Sequence, residues 1–150
     1  MSGEQDLIKL YSGQILALAA NIPRIGRLEV PDASVRKRSP LCGSTITVDL
    51  KVTDGRISDY AQDVKACALG QAAASVVATH VIGQNIAGIK AARDQLQAML
   101  MADGPPPAPP FDDLKVLLPA RDYKNRHASI LLSLEATLEA LQEVEKSACA

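Results

Sequence analysis

The sequence predicts an α+β fold, with a small antiparallel β-sheet of about three strands and several helices packed on one of its faces. Two observations carry this prediction. Residues 45–52 alternate between apolar and polar side chains, as in a half-buried strand, and the hairpin dipeptide Asp54-Gly55 follows directly. On both sides of this hairpin, apolar residues recur at three- and four-residue spacing, which is typical of helices with one buried face.

The first predicted element is a helix over residues 4–20. An apolar stripe runs along one of its faces, formed by Leu7, Leu10, Tyr11, Ile15, Leu18 and Ala19. Pro23 ends this helix, because proline lacks the amide proton that a continuing helix needs. Residues 25–38 contain Pro31 and the basic run 36–38, which interrupt any apolar face, so they are predicted to form a loop or an edge strand.

The centre of the chain is predicted to be a hairpin of two strands, over residues 45–52 and 56–64. An alanine-rich helix follows over residues 67–82, with Gly83 as its C-terminal cap, because glycine adopts the left-handed conformation that ends many helices. Another amphipathic pattern predicts a helix over residues 86–101.

Five prolines lie between residues 105 and 110. Because proline holds an extended backbone and cannot donate a hydrogen bond, residues 103–113 are predicted to be a stiff connector inside the domain. The last predicted element is a helix over residues 125–146, with Ile130, Leu134 and Leu141 among the residues on its apolar face.

Length and charge limit the possible classes of protein. A chain of 150 residues is expected to form a single domain over residues 1–150, because one core usually occupies ~100–200 residues. Sixteen basic and 17 acidic residues leave a net charge of −1, which argues against nucleic acid or an acidic membrane as a partner. The N-terminal residues lack the pattern of a secretory signal, so a cytoplasmic location is expected.

The reactive side chains are concentrated at two cysteines. Cys67 begins a predicted helix, where unpaired amides and the helix dipole favour a thiolate. Cys42 precedes Gly43, which lets a metal or a partner's sulfur approach the backbone closely. These positions predict sulfur handling or metal binding, and the alternative is that both are small buried hydrophobic residues. Cys149 lies in the tail and is expected to be incidental.

Six short segments fall in the order and register of a known family. They are Tyr11 and residues 20–26, 40–43, 66–69, 72–75 and 126–132. Together they resemble the IscU/NifU N-terminal family of iron-sulfur cluster assembly scaffolds, from about residue 6 to residue 142. The long Pro-rich segment is similar to the SufU-type branch. The Leu-Pro-Pro-Val-Lys motif of the IscU branch is absent from the sequence, which argues against a dedicated Hsp70-type partner.

The resemblance implies a SufE/NifU-like fold and a scaffold rather than an enzyme. It implies that Cys42 and Cys67 bind iron or a nascent [2Fe-2S] cluster, which is passed to acceptor proteins after a cysteine desulfurase has supplied sulfur. The main alternative is a zinc-dependent sulfur-transfer partner of the desulfurase. A third interpretation is a degenerate interaction protein that keeps the fold and has lost the chemistry.

Two ligand positions depart from the family pattern. The family has Cys-Gly-Asp at the first cysteine, and Ser44 stands in place of the carboxylate. The family has Arg-x-x-Cys-x-x-Leu at the third cysteine, and Ser129 stands in place of the thiol. A structural zinc or a typical cluster needs about four ligands, so Cys42 and Cys67 alone leave the site incomplete.

Three completions of the site stay open. In the first, His127 supplies an imidazole, which gives a set of two cysteines and one histidine with an open position. Ser44 and Ser129 remain candidate oxygen ligands at the altered positions. In the second, Cys42 and Cys67 from both chains of a symmetric homodimer present four thiolates. In the third, the site keeps only a role in accepting sulfur or in binding partners.

Three further groups have weaker signals. The basic run at residues 36–38 docks an acidic face of the desulfurase or forms a solvated edge. Arg121 and Arg126 stabilise thiolate or persulfide charge or form salt bridges at a helix start. His80 is expected to be a packed or hydrogen-bonded residue rather than a ligand.

Overall fold

A computed structural model describes residues 12–40 and 43–149, except for the side chains of residues 148 and 149. Its elements are, in chain order, α1 (Gly13–Ala20), β1 (Ala33–Arg38), β2 (Thr45–Thr53), β3 (Arg56–Lys65), α2 (Ala68–His80), α3 (Ile86–Met101), a 3₁₀ helix (Asp112–Asp122) and α4 (Lys124–Cys149). Within the described residues, the strands form one antiparallel sheet in the order β1-β2-β3. The predicted α+β class is confirmed.

The predicted hairpin forms as β2 and β3. Asp54 and Gly55 have φ angles of 54° and 76°, and two consecutive positive φ angles produce the turn that matches the twist of a two-residue hairpin. The apolar side chains of β2 that point to one face are buried in the core, namely Ile46, Val48 and Leu50. The strict alternation of β2 therefore predicted both the strand and its buried face.

Residues 33–38, predicted to be a loop or an edge strand, form the edge strand β1. Ala33 pairs with Leu50 and Arg38 pairs with Thr45. The basic run within β1 is divided between the two faces of the sheet, because successive side chains of a strand point in opposite directions. Lys37 points toward α4, where its Nζ lies 3.1 Å from a carboxylate oxygen of Glu139.

The helices cover the inner face of the sheet. α4 packs against β1 and β2, and α2 lies between α1 and α4. Nine residues of α2 are buried, which agrees with its composition of small side chains. Ser12 and Asn85 cap α1 and α3 with side-chain oxygens that accept from the amides of Ile15 and Gly88.

Most helix boundaries agree with the sequence patterns. α3 matches its predicted range, and α4 begins one residue early. α2 ends at His80 with Val81 as its C-cap, so the prediction of Gly83 as the cap is wrong. Gly83, with a φ of 88°, instead donates its amide to the Ile57 carbonyl. The predicted first helix is described only from Gly13, so Leu7, Leu10 and Tyr11 lie outside the described residues. No helix in the described part of the chain is both long and apolar enough to span a bilayer.

The Pro-rich connector leads into a 3₁₀ helix that the sequence did not predict. The Arg121 Nε group donates to the Met99 carbonyl at 2.8 Å, and its Nη2 group donates to the Gly104 carbonyl at 3.1 Å. Arg121 therefore holds the end of the 3₁₀ helix against the end of α3. This is a structural role, rather than one near a thiol.

Candidate functional site

Cys67 occupies the residue immediately before α2, with the extended backbone of an N-cap position. Its side chain is half-buried and makes no capping hydrogen bond to the helix. The first turn of a helix has unpaired amides and the positive end of the helix dipole, both of which favour an anionic group nearby. The thiol that the sequence singled out therefore lies at a helix N-terminus, as predicted.

A chain of side-chain contacts joins Cys67 to the two serines at the altered ligand positions. The Ser129 Oγ atom lies 3.6 Å from Cys67 Sγ and 2.9 Å from Ser44 Oγ, and in each contact either atom can donate. Ser44 and Ser129 are 4% and 2% exposed, so the two hydroxyls lie behind the more accessible sulfur. The fold therefore brings together the start of β2, the start of α2 and the first turns of α4.

Gly70 permits this close approach of α2 and α4. A Cβ atom at Gly70 would lie 2.5 Å from Ser129 Oγ and 3.1 Å from the Ser129 carbonyl oxygen. No motif in the sequence pointed to a role for Gly70. The available signal was a glycine in the first turn of an alanine-rich helix, where alanine has the better helix propensity.

Cys67 opens into a hollow of about 510 Å³. The hollow is lined by Gly43, Ser44, Val64, Lys65, Ala66, Cys67, Gln71 and Arg126. Two of these residues, Lys65 and Arg126, carry positive charge, and no described lining residue is acidic. A hollow of this composition favours negatively charged sulfur species at Cys67.

Cys42 lies outside the described residues, so the predicted meeting of Cys42 and Cys67 stays a prediction. Two backbone hydrogen bonds join the residues on either side of Cys42. The Ser39 amide donates to the Ser44 carbonyl at 2.8 Å, and the Gly43 amide donates to the Ser39 carbonyl at 2.9 Å. Gly43 has a φ of 71°, which favours glycine at this position, and Gly43 lines the hollow that also contains Cys67.

His127 lies in a different environment from Cys67. Its side chain is buried, and Nε2 lies 3.0 Å from the carbonyl oxygens of both Ala120 and Arg121. Two acceptors at one nitrogen require that this nitrogen carries the proton. His127 lines a second hollow, together with Asp103 and Met101. A ligand role for Nε2 would require both of these hydrogen bonds to break.

No group of three or more His, Cys, Asp or Glu side chains within residues 12–40 and 43–147 is arranged to hold a metal ion. Cys149 has no described side chain. His80 is half-buried and makes an edge-to-face contact with Phe111, which agrees with its predicted packing role.

The outer face of the sheet carries a second polar cluster, around Asp49, which no motif in the sequence indicated. Arg27 contacts Asp49 with Nε at 2.7 Å and Nη2 at 3.1 Å, and Ser34 Oγ donates to Asp49 at 2.6 Å. Burial by itself would raise the pKa of Asp49, but the hydrogen bonds from Arg27, Ser34 and the Leu28 amide outweigh it and lower the pKa.

A further hollow on the outer face of the sheet connects the Asp49 cluster to the Cys67 hollow. This neighbouring hollow of about 370 Å³ is lined by Arg27, Ser34, Arg36, Thr45, Thr47, Asp63 and Lys65. Lys65 therefore lines both hollows.

Residues 10–115 match the family described as NifU-like N terminal domain. The chain belongs to this family. A curated relative, the iron-sulfur cluster assembly scaffold protein IscU of Thermotoga maritima, is 27% identical over 142 residues, which cover 91% of this chain and 96% of the relative. The family that the short sequence segments indicated is thereby confirmed, and it is a family of iron-sulfur cluster assembly scaffolds.

Solved structures agree with this assignment. A crystal structure of a nitrogen-fixing NifU-like protein (N-terminal) from Brucella abortus is 47% identical, with a TM-score of 0.92 and coverage of 94% of this chain and 98% of that chain. A putative iron-sulfur cluster assembly scaffold protein for the SUF system from Fervidobacterium islandicum AW-1 has a TM-score of 0.80 at 18% identity, covering 89% of this chain and 98% of that chain. The second likeness shows the shared fold alone.

Proposed function

We propose that this chain is a single-domain cytoplasmic scaffold on which an iron-sulfur cluster is assembled and from which it is passed to acceptor proteins. In this proposal a cysteine desulfurase supplies the sulfur, and Cys42 and Cys67 bind the iron or the nascent [2Fe-2S] cluster. The chain acts as a carrier and not as an enzyme. Family membership supports the general role, and the surroundings of Cys67 support the assignment of the residues.

The observation that carries the proposal is the accessible thiol of Cys67 at a cationic hollow. The sulfur is half-buried beside the helix N-terminus, and Lys65 and Arg126 line the space in front of it. A [2Fe-2S] unit held by four thiolates carries net negative charge, so unpaired amides and cationic side chains stabilise it electrostatically. A thiol packed inside an apolar core would have neither feature.

Ser44 and Ser129 determine how tightly the protein binds iron and sulfide. Ser129 places a neutral hydroxyl 3.6 Å from Cys67 Sγ, where the family pattern has a third thiol. Ser44 and Ser129 hydrogen-bond to each other, so as neutral oxygens they offer weak ligation at most. Incomplete ligation by the protein favours release of iron and sulfide by ligand exchange, whereas a closed cage of four cysteines would retain them.

A second chain is the simplest way to complete the cluster. Cys42 and Cys67 give two thiolates per chain, and a twofold axis through the hollow would present four. Gly43 supports this arrangement, because it directly follows Cys42 in the sequence and lines the same hollow as Cys67. His127 is the alternative ligand within one chain, with the cost of breaking its two hydrogen bonds to carbonyls.

A zinc-dependent sulfur-transfer role is the second candidate function. The hydroxyl of Ser129 beside Cys67, in place of a third thiol, favours it, because a chain with fewer thiolates is less suited to holding a cluster. In this role Cys42 and Cys67 would hold a zinc ion, and one of the two thiolates would take the outer sulfur of a desulfurase persulfide, whose own cysteine would leave as a thiolate. Zinc without a visible chromophore in the purified protein would favour this function over cluster assembly.

The test is anaerobic reconstitution with ferrous iron and sulfide, followed by measurement of iron and sulfide per chain, visible absorption and chain mass in solution. We expect bound iron and sulfide, an absorption band from thiolate-to-iron charge transfer, and one cluster for each pair of chains. Cys67→Ala should abolish all three, because it removes half of the available thiolates.

Cys149→Ala is the matched control, because it removes a thiol from the tail by the same chemical change. It should retain the wild-type content of iron and sulfide. Iron and sulfide near zero in the wild-type protein, or equal binding by Cys67→Ala, would contradict cluster assembly at this site.

A further inference from the structure

Four cationic side chains surround the Cys67 end of the sheet without an acidic partner. Lys65 and Arg126 line the hollow, and Arg36 lines the neighbouring hollow. Arg38 points to the same end, since its Nη2 atom lies 3.9 Å from the Cβ position of Gly43. Among the described residues, none of the four forms a salt bridge.

Several cations elsewhere on the protein are paired with carboxylates, whereas others, such as Lys51 and Lys115, form no salt bridge in the described structure but are not clustered around a thiol. Salt bridges join Arg27 to Asp49, Lys37 to Glu139, Arg93 to Glu135 and Arg121 to Asp103. The chain as a whole carries a net charge of −1, so the unpaired cations are not a consequence of a basic composition. Asp63 is the carboxylate that lines the neighbouring hollow, and in the described structure it forms no salt bridge with Lys65.

We propose that Lys65 and Arg126 bind the negative charge of the sulfur compound that reacts at Cys67, so that the hollow selects anionic sulfur species. The inference rests on the proposed function in one respect, namely that Cys67 is the reacting thiol. The ligand class is a disulfide or persulfide that carries a carboxylate or another anionic group close to the reacting sulfur.

The size and chemistry of the hollow fit this class. A volume of about 510 Å³ lies within the range of sites that bind small molecules. The planar guanidinium of Arg126 can donate two parallel hydrogen bonds to a carboxylate, and Lys65 adds a second positive charge on the β3 side. At contact distances in a solvated site, each cation should favour an anion roughly fivefold.

The reaction that reports this selection is thiol–disulfide exchange. The Cys67 thiolate attacks one sulfur of a small disulfide, a new sulfur–sulfur bond forms to Cys67, and the other half leaves as a thiolate. No external oxidant or reductant is needed, because one disulfide replaces another. An isolated thiolate attacks a negatively charged disulfide more slowly than a neutral one, because the two negative charges repel each other. Faster attack on the anionic disulfide at Cys67 therefore requires nearby positive charges that offset this repulsion.

The experiment uses the full chain with Cys42→Ser and Cys149→Ser, which leaves Cys67 as the only thiol. The exchange rate is measured by intact mass with dithiodipropionate, hydroxyethyl disulfide and cystamine, which are anionic, neutral and cationic. Each rate is divided by the rate of the same disulfide with N-acetylcysteine amide. We expect the anionic disulfide to react at least tenfold faster than the neutral one, from about fivefold per cation, and the cationic one to be slowest.

Lys65→Gln combined with Arg126→Gln should bring the ratio of anionic to neutral rates close to one, and high salt should lower it in the parent chain. Arg36→Gln is the matched control, because it removes the same type of charge from the neighbouring hollow and should keep most of the ratio. Circular dichroism and thermal unfolding verify that each variant is folded.

A ratio near one in the parent chain, an unchanged ratio in the double variant, or an equal loss in Arg36→Gln would overturn the proposal. The outcome is separable from the proposed function. Normal iron and sulfide content together with a ratio near one rejects charge selection alone. Absent iron and sulfide in the wild-type chain rejects cluster assembly, whatever the exchange ratio.

Discussion

Two regions of the sheet differ in how their charged groups are paired. At its middle, the buried carboxylate of Asp49 is satisfied by Arg27, Ser34 and the Leu28 amide. At its end, Lys65 and Arg126 flank the half-buried Cys67 without an acidic partner in the described structure. A satisfied ion pair stabilises a fold, whereas unpaired cations at an accessible thiol remain available for an incoming anion.

The largest expected effect comes from adding a methyl group at Gly70, where α2 lies close to Ser129 of α4. Gly70→Ala should lower the free energy of unfolding by about 2–3 kcal/mol, because the new methyl group would overlap Ser129 Oγ and force α2 away from α4. It should also change the reactivity of Cys67 toward thiol reagents. Urea denaturation and thiol labelling measure the two effects.

Gly13→Ala is the control for that variant. No atom of the described residues lies within 4 Å of a Cβ atom placed at Gly13, which is also the first residue of α1. Alanine there should be neutral or stabilising by up to about 1 kcal/mol. Equal destabilisation by both variants would show that the contact between Gly70 and Ser129 is not the cause.

The next largest effect comes from removing the buried negative charge of Asp49. Asp49→Asn should lower the free energy of unfolding by about 2 kcal/mol at neutral pH, because it removes the charge from hydrogen bonds that a buried carboxylate accepts. Asp59→Asn is the matched control, since Asp59 is half-exposed and lies 4.0 Å from Arg24. It should change stability by less than about 0.5 kcal/mol.

The pH dependence of this effect has a definite sign. The pKa of Asp49 in the folded protein is held below its ordinary value of 3.8. Its contribution to stability is therefore complete above that value and is lost as the pH falls through the lower, folded-state pKa. The difference in stability between wild type and Asp49→Asn should accordingly shrink in acid, and an unchanged difference across this range would contradict the ion-pair account.

The smallest effect separates two serines one turn apart on α4. Ser129→Ala removes the hydroxyl contacts with Cys67 and Ser44, and it should cost about 1 kcal/mol of stability. Ser133 is also buried, but its hydroxyl finds no hydrogen-bond partner among the described residues. Ser133→Ala should therefore be neutral or slightly stabilising, and thermal unfolding of the two variants measures the contrast.

The hairpin and the long helices were predictable because their signals are local. The alternation of β2 and the positive φ angles at Asp54 and Gly55 need no information from distant residues. The 3₁₀ helix was not predicted for two reasons. Pro119 lies within the helix, and the helix is held in place by long-range contacts such as that of Arg121 with Met99. Such contacts have no periodic pattern in the sequence.

The candidate site was predictable only in part. Cys67 was predicted as a reactive thiol from its place at the start of a helix, and the family pattern indicated Ser129 as an altered ligand position. The position of His127 against two carbonyls and the need for glycine at residue 70 depend on how α4 packs on its neighbours. A side chain's partners across helices are set by packing geometry, which spacing along the chain does not specify.

The sequence by itself determined the β2–β3 hairpin, the helices α2, α3 and α4, the thiol at the start of α2 and the family to which the chain belongs. Only the tertiary structure decided that Ser44, Ser129 and Cys67 form one contact chain and that Lys65 and Arg126 face the same hollow. The physical reason is the distance along the chain over which each type of signal acts. Periodicity and turn chemistry act over a few residues, whereas Lys65 and Arg126 meet only after the sheet and α4 have packed together.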